Sequence, residues 1–421
     1  MGKVDTDSLK PGMVLAGDLF HIDGRLLLSK GISLTPKHLR VLKIWGVAAA
    51  EIEGVSDSSR PSTLEEIDPI VLQEAEEFAH KKFSHAHVDH PFLRELFRIC
   101  TLRRAQQMAL QKTSGSEGEV TGLEAAPTAV VKSVRPVEIR YKDLVALLEG
   151  DVGLASLPHI FTEINRVISD PRSSAIHVAD VISKDPNLAT KLLRIVNSAF
   201  YGFPSKIDTI SRAVTILGSR QLSTLALGTS VLEIFKDIPA TLVDMKSFWE
   251  HSVACGIAAR MIASYKNIVN TERLFVAGLL HDIGRLITYR YLPEQGREML
   301  LYAQQNDCLL RSAELKVLGF DHSQIGTMLM QKWKLPVILE QAVGYHHQPM
   351  LSQYIQEASI VHIADILINA LLIGTSGERF VPPVIPEVWT ELGLPTEIFT
   401  GSVQLVDRQV AEVIYNFFEG N

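Results

Sequence analysis

Cysteine is scarce. Cys100, Cys255 and Cys308 are the three in the chain, odd in number and far apart, so they specify neither a disulfide framework nor a thiolate metal site. A reducing compartment, the cytoplasm, is the expected setting. Cationic surplus is missing too: 41 Lys and Arg against 48 Asp and Glu give a formal charge of −7. No basic stripe with interleaved aromatics occurs, and because phosphate neutralisation needs concentrated cations, direct nucleic-acid binding is not expected. Long apolar runs are also absent. A stretch such as ADILINALLIG, 364–374, falls short of the about 20 residues a membrane span needs. The N-terminus, Met1-Gly2-Lys3-Val4-Asp5, turns polar at once and lacks the pattern of a secretory leader. A soluble protein without a membrane span is expected.

What is present is globular. Hydrophobic residues make up 46% and charged residues 21%, and 421 residues exceed one ordinary core, so two or three folded units are expected. The pattern is mainly α: a large all-helical domain preceded by a small β-rich module of mixed α and β, and by a helical hairpin. In residues 1–55, Met13-Val14-Leu15 and Arg25-Leu26-Leu27-Leu28 are short apolar runs around the turn Asp23-Gly24. A helix over 33–42, a stop at Gly46 and a last strand near 47–52 follow. After the polar hinge 56–63, residues 64–112 hold two helical stretches, about 68–83 and 91–112. The histidines of their connection, His80, His85, His87 and His90, are unevenly spaced in a polar loop and are expected to be solvated. Residues 113–136 have small residues, Gly and Pro and no sustained period, which predicts a flexible linker. Residues 137–421 then read as almost continuous helix jointed at Pro and Gly.

Within that large domain, Asp185-Pro186 is a helix start, and Leu188, Leu192, Ile195 and Val196 fall on one face of the helix that follows. It ends in the aromatic turn Asn197-Ser198-Ala199-Phe200-Tyr201-Gly202-Phe203-Pro204, expected to pack between helices. Ile207, Ile210, Ala213, Val214 and Leu217 then resume a helical stripe. The run ISKDPNLATKLLRIVNSAFYGFPSKIDTISRAVTILGSRQLSTLAL resembles the signature half of an HDOD domain, an output domain related to the HD phosphohydrolases. The N-terminal LKPGMVLAGDLF, DGRLLLSKGISLT and LKIWGV resemble the small domain found ahead of HD-GYP and some HDOD modules, where a docking or dimerisation role is expected.

Six of the fourteen histidines lie between His251 and His362. A site for one or two divalent cations wants neutral imidazoles plus carboxylates, one of which can bridge two metals. The adjacent pair His281-Asp282 supplies both ligand types. Neighbouring helical side chains diverge by about 100°, so the pair can address one centre only if the metals lie along the helix surface or the helix ends there; Gly284 would allow such an irregularity. The order H…HD…H…HH…D, filled by His251, His281-Asp282, His322, His346-His347 and Asp365, resembles the metal-binding pattern of the HD superfamily, in an HD-like part over about 245–370. That resemblance implies Fe, Mn, Mg or Zn at these seven positions, mononuclear or dinuclear, and hydrolysis of a phosphoester by metal-activated water. It also implies a phosphate contact from Arg285. His362 occupies no ligand position of the pattern, and Cys255, four residues after His251, is expected to pack as a small residue.

The Gly-Tyr-Pro motif of the HD-GYP phosphodiesterases is missing after His346-His347, where Gln348-Pro349-Met350 stands instead. Hydrolysis of cyclic di-GMP is therefore not expected. The leading expectation is a bacterial cytoplasmic signal-transduction protein acting through an HDOD output domain with a metal site. It would bind a signalling protein or a small nucleotide-like ligand, with homodimer surfaces on the N-terminal module and the hairpin. The alternatives are a metal-dependent phosphohydrolase acting on a nucleotide or cyclic dinucleotide, and a scaffold in which these polar residues bond one another.

Overall fold

In the computed structural model the described residues are 2–5, 9–20, 26–35, 38–39, 42, 49–53, 68–114, 159–170, 172–198, 201–203, 205–232, 234–235 and 238–416. Strand β1 (Gly2–Asp5) pairs antiparallel with β4 (Ala49–Ile52), and β2 (Leu19–Phe20) with β3 (Leu26–Leu28). Residues 13–15 form isolated bridges, Val14 to Ser33 and Leu15 to Ile52, so the strand facing Leu26–Leu28 is Leu19–Phe20. The reason is register: Leu15 points into a small core with Leu9, Leu34, Leu42 and Ile52. The Asp23-Gly24 turn and Gly46 lie outside the described residues; His38, Leu39 and Leu42 of the expected 33–42 helix are helical. The hinge 56–63 and the stretch 115–158, with the expected linker from 115 on, also lie outside them.

Helix α1 (Pro69–Lys82) starts where Asp68 accepts the Ile70 amide and Pro69, lacking an N–H, takes the first position. With α2 (Pro91–Ser114) it forms the expected hairpin. Its inner face closes on itself only where Val71 and Ala75 pack with Ala105; Ala79, Phe83, Phe92, Leu93 and Leu96 belong to the same apolar core as the large domain. The Val381 amide donates to the Lys82 carbonyl at 2.8 Å, and Arg103 pairs with Asp407 through two bonds of 2.6 and 3.0 Å. This docking corrects the reading of two loop histidines as solvated. His85 Nε2 lies 2.7 Å from the Asp307 carbonyl with its ring against Phe380, and His90 packs edge-on to Trp389.

The first half of the large domain comprises α3 (His159–Ser169), α4 (Ala175–Ser183), α5 (Pro186–Val196), α6 (Ile210–Leu217) and α7 (Ser219–Leu232). Asp185 caps α5 through the Leu188 amide, and Leu188, Leu192, Ile195 and Val196 are buried as the periodicity requires. Each such side chain contributes about 1.5–3 kcal/mol of transfer free energy. The turn after α5 is held by Asn197, which donates to the carbonyls of Leu193 and Ile207 and accepts the Ile207 amide, all at 2.7 Å.

The second half carries α8 (Met245–Tyr265), α9 (Glu272–Leu280), α10 (Ile283–Tyr291), α11 (Pro293–Gln305), α12 (Leu310–Val317), α13 (His322–Lys332), α14 (Val337–Gly344) and α15 (Ile355–Leu371), then α16 (Pro386–Leu392) and α17 (Glu397–Ile414). Helices α8 and α9 meet backbone to backbone. A Cβ on Gly278 would lie 2.7 Å from the Cys255 carbonyl, and one on Gly256 2.6 Å from the Phe275 carbonyl. This close approach brings the end of α9 against the His251 face of α8. Among the described residues no helix is long and apolar enough to cross a membrane.

Candidate metal centre

The His281-Asp282 pair sits at a helix break. Helix α9 ends at Leu280, Asp282 takes φ −97°, ψ 12°, and α10 begins at Ile283. The break lets neighbouring side chains converge, which a continuous helix forbids. Gly284 has a different task from the irregularity expected of it. A Cβ there would lie 2.8 Å from the His322 carbonyl carbon, so the glycine admits the N-terminus of α13 to the pair.

All seven expected positions come together, in two groups around Asp282. In the first, His251 Nε2 lies 3.3 Å from Asp365 Oδ1 and 3.7 Å from Asp282 Oδ2, and His281 Nε2 lies 3.5 and 3.2 Å from the same oxygens. In the second, His322 Nε2 lies 3.0 Å from Asp282 Oδ1, 3.3 Å from His346 Nε2 and 3.0 Å from His347 Nε2. The carboxylate of Asp282 therefore offers one oxygen to each group.

Tautomers follow from the outer partners. A carbonyl oxygen only accepts, so His281 Nδ1–H donates to Gly278 O at 2.7 Å and His346 Nδ1–H to Val343 O at 2.6 Å. His322 Nδ1–H donates to Glu314 Oε2 at 2.6 Å. In the neutral form of each ring Nε2 is a lone pair turned to the centre, the arrangement in which ligating histidines are held. The Nε2 lone pairs of neutral His322 and His346, 3.3 Å apart, repel unless a proton or cation lies between them, and His281 Nε2, fully buried, makes no hydrogen bond. Imidazoles and carboxylates of this geometry fit divalent cations.

Burial disfavours charge on His281, yet Asp282 and Asp365 outweigh it and hold its pKa up to about 10. Burial and Arg285 oppose charging His322, but Glu314 and Asp282 prevail and hold it up to about 9. Burial, with the charge of its neighbours His281 and His322, brings His346 down to about 3. Burial would raise Asp282, but Arg285, His281 and His322 keep it well below the usual carboxylate range. Asp282, Asp365 and Glu314 thus face His281, His322 and Arg285 in one buried space.

Two buried partners were not visible in the sequence. Glu314 accepts from the His322 amide at 3.0 Å, from its Nδ1, and from Arg285 Nε at 2.8 Å. Ser376 accepts from Arg285 Nη1, which also donates to Asp282 Oδ2 at 2.9 Å. The guanidinium is 4% exposed and held among these groups. No local pattern marks Glu314 or Ser376, since each acts across separate helices and loops. His362 is satisfied apart from the centre: its Nδ1–H donates to the His346 carbonyl and its Nε2 accepts the Ile385 amide. Cys255 departs from simple packing, with Sγ 3.6 Å from His251 Nε2 and the thiol pushed well above its usual range by burial and by Asp365 and Asp282.

Residues 154–349 match the family model described as HDOD domain. The chain carries an HDOD domain. The match takes in six of the seven positions and stops before Asp365, which α15 adds to the HDOD centre. It also leaves the N-terminal strands and the α1–α2 hairpin outside. A solved Shewanella amazonensis protein, named as a candidate phosphohydrolase, is 22% identical, covers 65% of this chain and 97% of its own, and superposes with a TM-score of 0.51. At that identity the likeness shows the fold alone. An uncharacterised protein of Treponema pallidum is 26% identical over 198 residues, 46% of this chain and 37% of its own length. Ribonuclease Y of Mycoplasmoides gallisepticum is 22% identical over 238 residues, 55% of this chain and 35% of its own length. The chain therefore spans little more than a third of either curated relative.

Proposed function

We propose that this protein is a cytoplasmic signal-transduction regulator of bacterial type whose HDOD domain is built around a metal centre and acts by engaging a signalling protein or a small nucleotide-like ligand. His251, His281, Asp282 and Asp365 would hold one divalent cation, and His322, His346 and His347 a second, with Asp282 between them. The observation that carries the regulatory reading is the inward turn of Arg285. Its Nε and Nη1 are engaged by Asp282, Glu314 and Ser376, so we assign it to positioning those groups in place of the phosphate contact that family resemblance implies. The N-terminal strands, with a core of their own, suit a docking module.

A second reading, a metal-dependent phosphohydrolase, is favoured by one feature. A cavity of about 360 Å³, lined by Arg311, Asp321, Gln324, Tyr345, His347 and Gln348, reaches the centre at His347. A cation pair bridged by Asp282 would supply Lewis acidity toward a phosphoryl oxygen, and the Shewanella protein of the same fold bears a phosphohydrolase name. Elemental analysis of protein purified without chelator, paired with assays on a generic bis-phosphoester and on cyclic dinucleotides, separates the two. Metal without turnover supports the regulator, and turnover lost in Asp282→Ala with the fold intact supports the hydrolase. Protein free of metal overturns both.

A further inference from the structure

The first metal position has more donors than the H…HD…H…HH…D pattern provides. Cys255 stands one helical turn after His251, so the two side chains share a face of α8. The four donor atoms of His251, Cys255, His281 and Asp365 lie within 4.8 Å of one another, and all four residues are buried. Cys100 offers an internal comparison: it is buried as well, but it sits in the apolar core between the hairpin and the large domain and joins no such group among the described residues.

Three of the spacings match the edges of a coordination tetrahedron. With a metal–sulfur bond of about 2.3 Å, metal–nitrogen and metal–oxygen bonds of about 2.0–2.1 Å and tetrahedral angles, the sulfur–nitrogen edge is about 3.6 Å and the nitrogen–oxygen edge about 3.3 Å. The structure has 3.6 Å from Cys255 Sγ to His251 Nε2, 3.3 Å from His251 Nε2 to Asp365 Oδ1 and 3.5 Å from His281 Nε2 to Asp365 Oδ1. A second observation is independent of the cysteine. His281 Nε2 is fully buried, makes no hydrogen bond and is aimed into the same space, beside the Asp282 and Asp365 oxygens.

We propose that Cys255, as a thiolate, joins His251, His281, Asp282 and Asp365 as a ligand of the first metal position, and that this position takes a borderline-soft divalent cation of the zinc class in preference to magnesium. The inference rests on the metal-centre reading above. On binding, the Sγ–H bond breaks, its proton leaves to solvent, and the sulfur lone pair forms the bond to the cation, so charge and atoms balance. A thiolate is a soft donor that magnesium disfavours, while the second position, built of imidazoles and Asp282, has no thiolate.

The test uses the full chain stripped of metal and titrated with Co(II) alone. The wild type is expected to show a thiolate-to-cobalt charge-transfer band in the near ultraviolet, unmoved by excess Mg(II) and removed by Zn(II). The band is expected to vanish in Cys255→Ser while the visible cobalt bands and the far-ultraviolet circular dichroism stay. A Cys100→Ser/Cys308→Ser double variant, in which Cys255 is the one remaining thiol, should keep the band and covers the case that Cys255→Ser misfolds. Bound cobalt with no charge-transfer band in the wild type, or a band lost in the double variant, overturns the thiolate ligand and leaves the metal centre standing. No cobalt uptake overturns both.

Discussion

Gly284→Ala is the sharpest probe of how the helix break and α13 are fitted together. Inside a helix the substitution ordinarily stabilises, by up to about 1 kcal/mol, because alanine is the better helix former. Here the added methyl would stand 2.8 Å from the carbonyl carbon and 3.0 Å from the Cα of His322, and closer still to its oxygen. Backbone on both sides cannot rotate away as a flexible side chain would. Relief requires α10 and the start of α13 to part by something on the order of 1 Å, and overpacking of this kind costs about 1–3 kcal/mol. We expect the steric term to exceed the propensity gain, for a net loss of about 1–2 kcal/mol in urea unfolding. The same displacement moves His322 Nε2 from its place 3.0 Å from Asp282 Oδ1, beyond the about 0.2 Å tolerance of a metal–ligand bond. Metal equivalents bound should fall, with the second position emptied first. A variant as stable as the wild type that binds the same number of equivalents would refute the packing argument and with it the role given to His322.

Other expectations follow from the same geometry. Glu314→Gln keeps the size but removes the carboxylate that orients His322 and Arg285, so metal affinity should fall by roughly 10–100-fold in chelator competition; an unchanged affinity would show that Glu314 is incidental. Asp282→Asn leaves Arg285 short of a charge partner in a buried site, and we expect a loss of about 3–5 kcal/mol in unfolding free energy together with loss of metal from both positions. Metal removal by chelation should lower the thermal midpoint, since metal at a hundredfold excess over its Kd stabilises by about 2.7 kcal/mol; coincident melts with and without chelator would contradict the centre. Phe92→Ala, which empties a site stacked on Trp389, should cost about 3–5 kcal/mol. Because the hairpin shares the large domain's core, it should shift the transition of that domain; an unshifted main transition would show the hairpin to be separate.

Much of this was legible in the chain because it is local. A helix start such as Asp185-Pro186 and the stripe Leu188, Leu192, Ile195 and Val196 act within a few residues, so periodicity and capping chemistry declare them. The all-helical HDOD domain and the types and order of the seven candidate ligands were readable for the same reason. Tertiary structure alone decided what depends on which helix faces meet. The split of the ligands into two groups sharing Asp282, the inward commitment of Arg285, the arrival of Glu314 and Ser376, the place of Cys255 among the donors and the docking of the hairpin through His85, His90 and Phe92 all join residues tens to hundreds of positions apart. Composition and periodicity along a chain carry no information about such distances. They are set by how closely backbones approach, as Gly256, Gly278 and Gly284 permit here.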